Sequence, residues 1–127
     1  MADAATTRPV ILLLEDEAEL SKVICTTLEG EFEVFPAATA ERACKLLAER
    51  KFAALVCDHN LPGPMQGLDF LILAISVQPD AKRILLTGLM TQAMLADCEV
   101  KAKLSACFAK PLPIAQLRQA LRAAISE

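Results

Sequence analysis

Tryptophan and tyrosine are absent, and the only aromatics among 127 residues are five phenylalanines. The core of this chain must therefore be aliphatic. Long apolar runs are missing too. Mean hydropathy is +0.40, yet no stretch approaches the roughly 18 uninterrupted apolar residues of a membrane-spanning helix. The start, MADAATTRP, lacks a basic region leading into an apolar segment, which argues against a signal peptide. Net charge is −3, so there is no basic surplus for a nucleic-acid surface. A single histidine, His59, cannot make a metal cluster by itself. Cys25, Cys44, Cys57, Cys98 and Cys107 form no CxxC and lie in apolar runs, as buried thiols of a reducing cytoplasm do. These exclusions leave a cytoplasmic protein without membrane or nucleic-acid partners. At this length it is one domain with a real core.

What is present is an alternation. After a flexible tail over residues 1–8, the run VILLL at 10–14 suits a strand buried on both faces. It ends on Glu15-Asp16-Glu17, where Asp is a good cap and acids favour a helix start. Leu20, Val23, Ile24, Thr27 and Leu28 then recur at helical spacing, and Gly30 supplies a stop. Strands are expected at 32–35, 53–57, 83–86 and 105–109. Helices are expected after Thr39, after Gly67, over 91–102 and from about Ile114. Ala43, Cys44 and Leu47 face inward on the second helix, Leu68, Leu71, Ile72 and Ile75 on the third, and Met94, Leu95 and Cys98 on the fourth. On the last helix Ile114, Leu117, Leu121 and Ile125 do so. Five strands alternating with five helices predict an α/β fold, a doubly wound parallel sheet. With flavodoxin-like order 2-1-3-4-5, strands one and three are neighbours at the switch point.

Every strand of such a sheet ends on one edge. Glu15 and Asp16 follow the first strand, Asp58 the third, Thr87 the fourth and Lys110 the fifth. Three crowded carboxylates repel and call for a cation. Oxygen donors with room for water suit Mg²⁺. A carboxylate nucleophile, a metal and a lysine are the parts of phosphoryl transfer. Singly, each has a bland explanation as a helix-start acid, a strand-end hydroxyl or a surface lysine. Their placement at four strand ends carries the reading.

The segments ILLLEDE, LVCDHNLPG…GLDFL, ILLTG and FAKPL resemble the signatures of response-regulator receiver domains, the phospho-accepting modules of two-component and phosphorelay signalling. The likeness runs from about Val10 to Ile125 and implies a receiver domain over 9–127. It implies that Asp58 accepts the phosphoryl group and that Glu15, Asp16, Asp58 and the carbonyl of Asn60 hold Mg²⁺. Thr87 matches the switch hydroxyl and Lys110 the phosphate-pairing lysine. Implied partners are a histidine kinase or histidine phosphotransfer protein and a downstream protein that docks.

Three features depart from the family pattern. Glu15 stands where an aspartate is common. The span from Asp58 to Gly67 is one residue longer than usual, and its LPG-x-M-x-G pattern is similar to receivers of hybrid histidine kinases. Cys107 occupies the usual aromatic position, three before the lysine, with Phe108 beside it; a one-residue shift would reverse the face Phe108 occupies. The third helix carries no charge from Phe70 to Gln78. Phe70, Leu73, Ala74 and Val77 are thus candidates for an outward apolar strip and a homodimer surface. The length predicts a stand-alone receiver. An Asp-dependent phosphatase, the enzyme alternative, wants a second acid two residues after its nucleophile, where Asn60 stands.

Overall fold

The structure is a computed structural model and describes residues 8–88, 92–110 and 114–126. Five strands alternate with five helices: β1 (Val10–Leu14), α1 (Ala18–Leu28), β2 (Glu33–Ala37), α2 (Ala40–Glu49), β3 (Ala54–Asp58), α3 (Gly67–Val77), β4 (Lys82–Thr87), α4 (Gln92–Ala102), β5 (Ala106–Ala109) and α5 (Ile114–Ser126). The strands form one sheet in the order β2-β1-β3-β4-β5, every pair parallel. This is the expected α/β, flavodoxin-like topology.

The continuous apolar runs of β1, β3 and β4 are explained by burial on both faces. Leu12, Leu14, Leu55, Cys57 and Leu85 pack with Leu46 and Leu47 of α2, Phe70, Leu71 and Ala74 of α3 and Ala102 of α4. Their alternating neighbours Ile11, Leu13, Val56, Ile84 and Leu86 pack on the other face with Ile24 and Leu28 of α1 and Leu117 and Leu121 of α5. Period-2 alternation thus splits one apolar run between two cores. At the base of the sheet the Gln78 side chain donates to the carbonyls of Leu47 (2.8 Å) and Arg50 (2.7 Å) and accepts from Phe52 N–H (2.8 Å). One amide thereby ties the end of α3 to the end of α2.

Four expectations are corrected. The second strand runs over Glu33–Ala37 rather than 32–35, and Phe32 is buried in the turn before it. Pro36, which has no N–H to donate, is tolerated because β2 is an edge strand. Val23 is exposed, since it lies about 100° around α1 from buried Ile24. On α3, Phe70 and Ala74 belong to the core, not to an outward strip, whereas Ile72 joins Leu73 and Val77 in solvent. With no charge from Phe70 to Gln78 that helix has no polar stripe from which to phase it; burial of Gly67, Phe70, Leu71 and Ala74 sets its inner face. Met94 is also exposed. Thr91 and the Cys98 side chain lie outside the described set.

Candidate functional site

Parallel strand direction brings the predicted acids together. The β1–β3 register pairs Leu14 with Cys57, so one further step sets Glu15 beside Asp58. Asp58, the last residue of β3, is 3% exposed and Glu15 is 1% exposed. Asp16 is exposed at the rim. A carboxylate oxygen from each of the three lies within 4.8 Å of the other two.

Lys110 arrives by extension of the β4–β5 ladder, its backbone N–H donating to the Thr87 carbonyl at 2.8 Å. Its ammonium donates to Asp58 Oδ2 at 3.1 Å and to Glu15 Oε1 at 3.3 Å. The remaining oxygens are also engaged. Glu17 N–H donates to Glu15 Oε2 (3.1 Å) and Asn60 N–H to Asp58 Oδ1 (3.3 Å). Asp16 is not the cap of α1: Glu17 holds that position without a side-chain cap, and Glu15 takes its N–H instead. Thr87 is buried, and its hydroxyl has no hydrogen-bond partner among the described residues.

Electrostatics follow from burial. Desolvation, first, pushes the Glu15 carboxyl above its ordinary value of 4.5; the Glu17 N–H opposes this, the Asp58 charge adds to it and Lys110 opposes it. For Lys110 desolvation acts downward, but hydrogen bonds and charge from Asp58 and Glu15 outweigh it, and its pKa stands above 10.5. The raised Glu15 fixes a sign. Its proton is held more tightly in the folded than in the unfolded chain, so its contribution to stability is complete below 4.5 and is lost as pH rises through the folded value. Lys110 loses its contribution only above 10.5, outside that window. Urea midpoints in metal-free buffer should therefore fall from pH 4.5 upward less in Glu15→Gln than in the parent. Equal slopes would refute this account of Glu15.

The loop after β3 is built by a residue that sequence reading passed over. The Gln66 side chain accepts from Leu61 N–H (2.9 Å) and donates to the carbonyls of Leu61 (3.1 Å) and Gly63 (3.2 Å). Gln66 N–H donates to Asp69 Oδ2 (3.0 Å), completing a capping box on α3. The spacing Gln66-x-x-Asp69 was the available signal. Gly63 sits at φ +90°, a conformation suited to glycine. Gly67 donates its N–H to the His59 carbonyl (3.1 Å) and lies directly on the backbone of Asp58.

The cluster is thus a potential divalent-cation site, all oxygen donors, next to a lysine and the buried Thr87 hydroxyl. On β5 the alternation is decided: Cys107 packs toward the α2–α3–α4 core and Phe108 toward the α1–α5 core. Phe108 is therefore on the wrong face to stand in for an aromatic at 107. No helix among the described residues is long and apolar enough to cross a membrane.

Comparison with known proteins places this geometry. The hydrogenase transcriptional regulatory protein HoxA of Cupriavidus necator is 30% identical over 78 residues, covering 61% of this chain and 16% of its own length. Among solved structures, a signal receiver domain of an HD-domain protein from Pseudomonas fluorescens Pf-5 superposes with TM-score 0.87 at 27% identity, over 94% of this chain and 96% of its own. A response regulator from Burkholderia pseudomallei, solved with a phosphorylated aspartic acid, calcium ion and citrate, gives TM-score 0.81 at 27% identity over 93% and 69%. The sequence model of the response regulator receiver domain matches residues 11–122, a span holding all of the sheet but Val10 and every residue of the cleft. With fold and sequence agreeing over that span, the chain belongs to the response regulator receiver domain family, whose members are signalling modules.

Proposed function

We propose that this protein accepts a phosphoryl group on Asp58 from a phosphohistidine of a histidine kinase or histidine phosphotransfer protein, and signals through the resulting change of surface. The observation that carries the reading is one lysine ammonium bridging two buried carboxylates beside a third acid. Asp58 Oδ forms a bond to phosphorus while the donor's P–N bond breaks, and the imidazole nitrogen leaves with the bonding pair. Lys110, already against Oδ2, transfers its hydrogen bonds to the phosphoryl oxygens. The Thr87 hydroxyl, buried without a partner among the described residues, is a donor for the acyl phosphate, and its inward movement biases the β4 end of the sheet.

The residues that would hold Mg²⁺ are Glu15, Asp16, Asp58 and the backbone carbonyl of Asn60; the donor set fits, being hard oxygens with one acid open to water. When bound, the ion supplies positive charge that offsets the phosphoryl oxygens. The phosphorylated aspartate and bound calcium of the Burkholderia relative support the assignment by analogy. On this reading residues 9–127 form the signalling unit.

Incubation with acetyl phosphate and Mg²⁺ should add one phosphoryl mass, lost with EDTA present and absent in Asp58→Asn. A mass gain that persists in Asp58→Asn would overturn the assignment.

A further inference from the structure

A second concave site lies on the other side of the loop that follows β3, and none of its lining residues belongs to the carboxylate cluster. Ala40 and Cys44 of α2 and Pro62, Pro64 and Met65 of the loop enclose a cavity of about 470 Å³, with Glu41 at its margin. An adjoining hollow continues past Pro64 and Met65 to Asp69. Both Glu41 and Asp69 are exposed, and among the described residues none lining either hollow is cationic. An apolar floor between two exposed acids is complementary to an apolar side chain with positive charge on either side.

Its walls are fixed in advance. Thr39 caps α2 through its hydroxyl, which accepts from Arg42 N–H (3.2 Å). The opposite wall is held by the Gln66 amide at Leu61 and Gly63. A cavity so held needs little reordering when filled, which favours a ligand that brings its own anchor. The volume falls within the range of pockets that take small ligands or single side-chain anchors.

We propose that this cavity docks a partner protein through a segment in which one large apolar side chain is flanked by lysine or arginine. The apolar side chain inserts between Cys44 and Met65, and the flanking cations meet Glu41 and Asp69.

The test uses the full chain, ¹⁵N-labelled and ¹³C-labelled at methionine methyls, in Mg²⁺ buffer. It is titrated with a blocked nonapeptide carrying phenylalanine between lysines. Two control peptides replace the lysines by glutamate or the phenylalanine by serine. The lysine peptide should shift Cys44, Gly63 and Met65 resonances saturably, with both controls at least about fivefold weaker. Glu41→Lys, an exposed substitution that spares the fold, should weaken the lysine peptide roughly threefold or more. Equal binding by the glutamate peptide, shifts centred on Glu15 and Asp16, or no shift at millimolar peptide would each overturn the proposal. So would concentration-dependent shifts of the same residues without peptide, which would assign the cavity to a second copy of this chain.

Discussion

Gly67→Ala should unfold the sheet edge that carries Asp58 although it adds only one methyl group. A Cβ at this position would lie 2.0 Å from the Asp58 carbonyl oxygen, 2.8 Å from its carbonyl carbon and 3.0 Å from His59 Cα. All three are backbone atoms, so no side-chain rotation relieves the clash. Gly67 is needed for proximity rather than for an unusual φ. Helix α3 starts there, and its first N–H bonds the His59 carbonyl. Accommodation means moving α3 off the strand that carries Asp58, which pulls Phe70 and Leu71 from the core. A loss of about 3 kcal/mol or more is expected from overpacking at a contact that cannot yield. Urea unfolding would measure it, and acetyl phosphate labelling would report the damage to Asp58. A variant with the parent's midpoint and labelling rate would show that α3 is not seated as described.

Lys110→Ala should slow phosphorylation from acetyl phosphate at saturating Mg²⁺ by about 100-fold or more, in line with the loss of one preorganised charge-stabilising donor. The ammonium is the cation hydrogen-bonded to both Asp58 and Glu15. Its loss also removes a downward influence on the Glu15 carboxyl, leaving burial and the Asp58 charge to push it higher. The pH-dependent loss of stability described for the parent should therefore steepen in Lys110→Ala and flatten again when Glu15→Gln is added. Lys110→Arg restores charge but not shape, because a planar fork replaces a compact ammonium that serves two carboxylates at once. Its rate should fall between the two. A Lys110→Ala rate within threefold of the parent would remove Lys110 from the phosphoryl-transfer proposal.

Asp58, Glu15, Asp16 and Lys110 converge. Position 107 carries a thiol facing the α2–α3–α4 core, and the neighbouring phenylalanine faces the other way. An in-or-out aromatic rotation of the usual kind therefore has no side chain to perform it at that position.

What was legible in the sequence was legible because it is periodic or terminal. Strands buried on both faces read as unbroken aliphatic runs, helices as amphipathic ones, and the residues at or just past the strand ends named Glu15, Asp16, Asp58, Thr87 and Lys110. Parallel connectivity does the rest, since it obliges all strand ends to share one edge. Where periodicity was silent the sequence misled. With no charge from Phe70 onward, α3 offered no continuous polar face to set its rotation. The second strand, expected to stop at Phe35, runs on through Pro36 because an edge position does not need the N–H that proline lacks. The roles of Gln66 and Gly67 lie in contacts with backbone atoms several residues away, and the cavity between α2 and the β3 loop joins segments about twenty residues apart. By itself the sequence determined the alternation of elements, the sheet edge and the acids upon it. Only the tertiary structure decided which face of α3 is buried, how the loop after Asp58 is held and which way residue 107 points, because these depend on distances between distant segments that no local pattern encodes.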